Sequence, residues 1–289
     1  MTDFNFTDSD IAPVVKVYNF NFSYIHGIKD LTVILYGCYT DHKNVSALIR
    51  RIDTSTINFS AEISPIILYE INHIFTKNEY VYAAAKTGID IFDLHTDNSL
   101  YFKEVQNVLV RSIWGNDTTL FFGGIGGLFC IDYINLHADY ANSTISDSFS
   151  LKSTDVRYIH GKNKALLVTT SSGVEYFNWL NNPEIKSNTY IENAGKCFLT
   201  NEKAYYINYT STSGILTYNL NVHNKLKTDW VYPYKIYSTG EGIFSDGIIL
   251  TDLYITEYTA FNGGNTIFCT TSSGVYVIDE DTADFSIYL

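Results

Sequence analysis

One motif recurs along this chain and leaves few folds open to it. An apolar run is followed by a glycine-centred turn and a second apolar run that closes on a short polar residue. Its fullest copies run from Tyr80 to Asp93, Thr119 to Asp132, Ala165 to Asn178 and Thr266 to Asp279. In these copies a turn glycine such as Gly88, Gly173 or Gly274 can take positive φ and reverse the chain without a Cβ clash. The closing Asp or Asn can bond the backbone of the turn that follows it. Each copy therefore reads as a β-hairpin whose marked residues are scaffold.

Two weaker copies complete the series. Ala204–Tyr209 with Ser213–Asn219 keeps the order with a longer turn, and Leu31–Gly37 with Ala47–Asp53 keeps it with a larger insertion. The closing positions are then Asp53, Asp93, Asp132, Asn178, Asn219 and Asp279. Their mean spacing, about 45 residues, is the period of a four-stranded unit rather than of a lone hairpin. A preceding strand is present too: Val110–Gly115 and Val156–Gly161 share the pattern Val-Arg-x-Ile-x-Gly, and Ile71–Phe75 and Ile255–Thr259 hold related positions. The fourth strand of the units is expected at Asn98–Lys103, Ser146–Lys152, Asn188–Glu192 and Leu226–Trp230, polar or mixed stretches suited to a solvent-facing edge.

This pattern resembles divergent β-propeller repeats. The resemblance implies an all-β fold, a single β-propeller over residues 1–289 built from four-stranded antiparallel blades. Six blades match the six hairpins, with five and seven as the alternatives. Such rings close by combining strands from both termini, which points to Val14–Phe20 or Phe285–Leu289 as the closing element. The widest interval between copies is expected to carry a long surface excursion near 220–265.

Charge narrows the choice of partner. With 19 Lys and Arg against 31 Asp and Glu, the formal net charge is -12, which argues against a broad nucleic-acid-binding face. Met1–Phe4 lacks the basic start of a secretory signal, and no apolar run approaches membrane-spanning length, so no membrane insertion is expected. Cys38, Cys130, Cys197 and Cys269 form no CxxC pair and are expected to be reduced core thiols. The N-x-[ST] sequons at Asn5, Asn21, Asn44, Asn58, Asn116, Asn142 and Asn208 are expected from an Asn-, Ser- and Thr-rich chain and are not taken as glycosylation sites.

The chain carries no G-x-S-x-G elbow, H-E-x-x-H helix or complete P-loop. Gly123-Gly124-Ile125-Gly126-Gly127 is flanked by strand residues on both sides and reads as a hairpin turn. The seven histidines form no close metal-ligand pair; His73 and His160 share nearby repeat phases and are expected to be structural. No metal and no cofactor are expected. Asp90, Asp132, Glu175 and Asp279 lie in or near equivalent strands, and Glu257 falls in an inferred inner strand, so a glycan-binding or glycoside-processing propeller enzyme is the alternative reading.

Two groups of residues are candidate binding elements. Arg111 and Arg157 share one repeat phase, which puts two guanidinium forks on the same axial side of neighbouring inner strands, able to receive a carboxylate, a phosphate or a protein acid. Trp230, Tyr232, Tyr234 and Tyr237 surround Pro233 too irregularly for a buried strand and offer aromatic faces to a protein or glycan. Trp114 and Trp179 are expected to pack the scaffold. The expected function is a non-enzymatic protein-interaction or structural module, soluble, belonging to a larger assembly such as a virus or phage particle or its tail, and cytoplasmic or virion-associated.

Overall fold

The computed structural model describes residues 71–78, 80–93, 98–105, 108–146, 149–178, 184–189, 193–224, 235–240, 243–256 and 265–288, together with strand backbone at 4–5, 14–15, 22–29, 32–41, 44–53 and 58–63. β1 (Phe4–Asn5) and β2 (Val14–Val15) pair with each other. Consecutive strands then form successive antiparallel sheets. The first holds β3 (Phe22–Lys29), β4 (Thr32–Asp41), β5 (Asn44–Asp53) and β6 (Asn58–Ile63). The second holds β7 (Ile71–Lys77), β8 (Tyr80–Ala85), β9 (Gly88–Asp93) and β10 (Asn98–Glu104). The third holds β11 (Leu109–Gly115), β12 (Thr119–Ile125) and β13 (Gly127–Asp132), followed by a short helix, α1 (Tyr133–Ala138). The fourth holds β14 (Val156–Lys162), β15 (Ala165–Thr170), β16 (Gly173–Asn178) and β17 (Glu184–Thr189). The fifth holds β18 (Ala194–Leu199), β19 (Lys203–Thr212), β20 (Ile215–Asn224) and β21 (Lys235–Ser238). The sixth holds β22 (Leu250–Thr256), β23 (Thr266–Thr271), β24 (Gly274–Asp279) and β25 (Phe285–Tyr288).

The sheets stack through their first strands: β7 packs against β3 and β11, β11 against β14, β14 against β18, and β18 against β22. The core lies in the gaps between consecutive sheets, which explains why the second strands read as unbroken apolar runs. Successive residues of one strand fill opposite gaps. Phe122 packs with the second sheet and Phe121 with the fourth; Tyr206 packs with the fourth sheet and Tyr205 with the sixth. The result is a propeller-like all-β fold.

The turn chemistry matches the residues that form it except at Gly88, which does not take positive φ and is required instead by the close approach of Lys103 O. Gly127, Gly173 and Gly274 take φ of 131°, 140° and 131° at the hairpin turns. Asp279 accepts from the N–H groups of Asp281 and Thr282, and Asp132 accepts from Asn135 N–H to cap α1. Cys130, Cys197 and Cys269 are free thiols. Among the described residues no helix is long and apolar enough to cross a membrane.

Several expectations change in register. In the fifth unit the turn is not longer; the strands are. β19 and β20 pair without interruption from Lys203↔Asn224 to Thr212↔Ile215, around a two-residue turn in which Ser213 and Gly214 take φ of 52° and 83°. Both values suit a type I′ turn, whose twist matches the flanking strands. The closing residue is therefore Asn224, aligned with Lys203 as Asp93 is with Tyr80, and not Asn219. In the first unit the supposed insertion also zips up, from Cys38↔Ala47 to Asp41↔Asn44. Ser, Thr and Asn serve a strand edge as readily as a turn, so composition alone could not separate the two.

The fourth strands shift as well. β10 forms at the expected stretch and β17 four residues ahead of Asn188–Glu192, overlapping it only at 188–189, whereas among the described residues the fourth strand of the third sheet shows one bridge, Cys130↔Ser146, after α1. Leu226–Trp230 lies outside the described residues, and Lys235–Ser238 supplies that strand. The first strand of the last sheet starts at Leu250, ahead of the expected Ile255. Within 220–265, the described residues include the end of β20, β21 and β22. Phe285–Tyr288 is the outer strand of the sixth sheet, and Val14–Val15 pairs with Phe4–Asn5, so among the described residues neither lends a strand to a sheet at the other end of the chain.

Candidate functional site

The first strand of every sheet slips by one residue at the same place. The shifts fall between Phe22 and Tyr24, Ile71 and His73, Val110 and Ser112, Val156 and Tyr158, Ala194 and Cys197, and Leu250 and Asp252. A β-bulge re-aims the side chains beside it and breaks the period of two. Here it creates tiers of equivalent residues around the line where the first strands meet.

Bulged residues tie one first strand to the start of the next. Asn72 Nδ2 donates to Val110 O at 2.6 Å and Arg157 Nη1 to Ala194 O at 3.4 Å, while Arg111 Nη1 pairs with Asp155 Oδ1 at 2.5 Å. The two arginines thus share a phase, as their spacing predicts, but differ in partner: Arg111 has a carboxylate and Arg157 a single backbone carbonyl.

The next tier is a connected polar row of His73, Ser112, Tyr158, Lys196 and Asp252. Ile113 N–H donates to His73 Nδ1 at 3.2 Å, which leaves Nε2 to carry the ring proton and donate to Tyr158 Oη at 2.7 Å. Ser112 Oγ, fully buried, accepts from Ile159 N–H at 3.0 Å and lies 3.3 Å from His73 Nδ1. Lys196 Nζ sits 4.3 Å above the Tyr158 ring and 3.7 Å from Asp252 Oδ2. Burial lowers the Lys196 ammonium pKa, and Asp252 works against that shift; burial raises the Asp252 carboxyl pKa against the pull of Lys196.

Two residues further on, an aromatic row runs Phe75, Trp114, His160, Phe198, Tyr254. Ring centroids are 6.3 Å apart for Phe75–Trp114 and Trp114–His160, 3.9 Å for His160–Phe198 and 5.4 Å for Phe198–Tyr254. His160 Nδ1 accepts from Leu199 N–H at 3.0 Å. His73 and His160 therefore occupy different tiers, each bonded to the next strand. Among the described residues no group of three His, Cys, Asp or Glu is placed to hold a metal.

At the bulge end a cavity of about 270 Å³ opens between β14, β18, β22 and the β19–β20 hairpin. Arg157, Lys196, Asn193, Thr251, Tyr209 and Tyr218 stand on its wall. The hairpin rises from the same end: beyond Asn208↔Asn219 it continues for the pairs Tyr209↔Tyr218 to Thr212↔Ile215. Residues 210–216 are exposed, Ile215 to 65% and Leu216 to 45%. The β4–β5 hairpin extends past its bulge partner Gly37 at the corresponding end.

Tyr237 is buried in the core between the fifth and sixth sheets, and its hydroxyl donates to Glu280 O at 3.3 Å. Trp230, Tyr232, Tyr234, Trp179 and Glu257 lie outside the described residues. Trp114 packs as expected, stacked on Phe121 within its own sheet. Lys196, Asp252 and the hairpin tyrosines were missed because Ala194–Cys197 and Leu250–Leu253 had not been recognised as first strands. The available signal was two successive residues outside the core between apolar ones, as in Val156-Arg157-Tyr158-Ile159 and Leu250-Thr251-Asp252-Leu253.

No protein-family model matches the chain, and no curated protein matches it. Among solved structures it is similar to the WD40 domain of Pan2 from Neurospora crassa, with a TM-score of 0.64 and 8% identity over 93% of this chain and 79% of that one. It is also similar to the computationally designed Ika8 protein, with a TM-score of 0.61 and 10% identity over 92% of this chain and 73% of that one. At such identities the likeness speaks for fold alone, and the fold it supports is a divergent, propeller-like array of antiparallel sheets.

Proposed function

We propose that residues 1–289 form a single six-bladed propeller that recognises another protein through its bulge-end face. In this reading the six hydrogen-bonded sheets serve as blades, and the proposed ring has the first sheet meet the sixth without a shared strand. The observation that carries the functional reading is the coincidence, at one end, of a cavity with Arg157 and Lys196 on its wall and a long exposed hairpin. A rigid stack of sheets that presents irregular features at one end suits recognition and requires no cofactor.

Of the acids on which a glycoside-processing reading would draw, Glu257 lies outside the described residues and the other four have places in the scaffold. Asp132 and Asp279 cap turns, Glu175 accepts from Lys152 N–H at 3.1 Å inside the structure, and Asp90 is buried in β9. A pair facing one substrate bond is what that chemistry needs. No observation on the fold speaks for a virus or phage particle, so the partner is defined by surface chemistry alone.

The test replaces Thr210–Thr217 by Asn-Gly, joining the paired Tyr209 and Tyr218 through a tight turn. A protein retained by the intact chain and lost by the trimmed one, at unchanged melting temperature, supports the docking face. Equal retention by both overturns it, and turnover of a glycan panel that Glu175→Gln abolishes favours the enzyme reading.

A further inference from the structure

The docking-face reading above is the basis for a narrower one. We infer that the cavity at the foot of the β19–β20 hairpin is a socket for one carboxylate, the acidic side chain of an extended segment of the partner protein.

Arg157 is the first reason. It makes one long bond, to Ala194 O at 3.4 Å, and no described carboxylate lies within ion-pair distance. Its phase-mate Arg111 holds Asp155 at 2.5 Å. A guanidinium carries five N–H donors in a planar fork that matches a carboxylate. In a chain with 31 acids against 19 bases, an arginine at a cavity wall with no carboxylate beside it among the described residues is a site prepared for one from outside.

Charge then selects the ligand. Lys196 shares the wall, and Asp252 stands 3.7 Å from its ammonium. Arg157, Lys196 and Asp252 together leave one net positive charge. A carboxylate carries one negative charge and cancels it. A phosphate monoester, at about -1.5 to -2, would leave excess negative charge in a half-buried space. Burial disfavours the Lys196 ammonium, and an anion arriving beside it opposes that shift as Asp252 does.

The hairpin selects the kind of partner. β18 pairs with β19 only as far as Asn208, and β21 pairs with β20 only as far as Asn219. Among the described residues, strand edges at 210–212 and 215–217 therefore have no neighbouring strand. Backbone groups there can receive an extended peptide, with specificity supplied by side-chain pockets alongside. Alternation along β20 puts Leu216 on the same face as Tyr218, above the cavity, as an apolar wall for the same segment. Free strand edges favour a protein segment over a glycan.

The experiment uses the full chain and calorimetric titration with acetyl-Gly-Glu-Gly-amide, its Gln counterpart, acetyl-Gly-Gly-Gly free acid, inorganic phosphate and a sialic acid glycoside. The Glu peptide should bind, weaken as salt rises, and lose about tenfold or more in affinity in both Arg157→Gln and Thr251→Glu, the second placing a competing carboxylate on the wall while sparing Arg157. Both variants should melt like the parent, and Arg157→Lys should recover only part of the affinity. Equal binding of the Gln peptide, indifference to both variants, or no heat with any peptide overturns the socket. Preference for the free acid, for phosphate or for the sialoside overturns it in favour of a chain end, a phosphate site or a glycan site. A partner lost on trimming the hairpin but retained by Arg157→Gln leaves the docking face standing and removes the socket.

Discussion

Gly161, next to last in β14, lies against the Trp114 ring, and a Cβ built there would fall 2.4 Å from that ring. The Gly that recurs near the end of β11 and β14 is thus a matter of close approach rather than turn geometry. Gly161→Ala should cost about 1–3 kcal/mol in urea unfolding, the usual range for overpacking. In a Trp114→Ala background most of that cost should vanish, and an undiminished cost would show that the ring is not its source. A second residue-scale prediction concerns His223, 2% exposed and 2.8 Å from Tyr206 Oη. Burial lowers its pKa from 6.5 to about 4. Between those values the unfolded chain binds the proton and the folded chain does not, so stability rises with pH. Its contribution is fully present above pH 6.5 and is lost as pH falls through about 4. The loss is at most on the order of 3 kcal/mol. Unfolding at pH 4 to 7 should show the parent losing more stability than His223→Gln, and identical slopes would refute the assignment.

At the scale of elements, the bulge and the long hairpin decide what the propeller-like frame presents. The bulge was half legible: Arg111 and Arg157 share a phase in the sequence, and they share it in space. What the spacing could not convey was that Asp155 stands beside one arginine and a backbone carbonyl beside the other. The extension of the hairpin was not legible, because Thr210–Thr217 is a run of polar residues with one apolar pair, compatible with a loop. Since residues 210–216 are exposed, they bury little. Replacing Thr210–Thr217 by Asn-Gly should therefore shift the melting temperature by no more than about 2 °C, measured by scanning calorimetry. A fall of about 10 °C would mean that the hairpin packs on the body of the molecule.

Across the whole molecule, stability resides in the gaps between sheets, and polar joints reinforce the apolar ones. Glu280, 1% exposed, accepts from Lys203 Nζ at 2.5 Å and Tyr205 Oη at 2.6 Å, which fastens the sixth sheet to the fifth. Asn265 Nδ2 donates to the same carboxylate at 3.3 Å. Removing one partner of a buried pair strands the other, so Glu280→Ala should cost about 3–5 kcal/mol and Glu280→Gln, which keeps an acceptor, less. Denaturant midpoints of the two variants give the comparison, and equal losses would show that the charge contributes nothing beyond the hydrogen bonds.

The sequence by itself determined the repeated hairpins, their turn glycines, the polar residues that cap the following turns, and strands buried on both faces. These are local properties: backbone conformation at a glycine and the apolar pattern of a short strand are written in adjacent residues. Only the tertiary structure decided that the fifth hairpin closes at Asn224, that polar runs become strands, and that Lys196 and Asp252 join the row of His73, Ser112 and Tyr158. Register is settled by pairing summed along two strands and their neighbours. The row and the cavity bring together residues about 40 to 180 positions apart, whose proximity follows from the stacking of sheets rather than from the local pattern of any one of them.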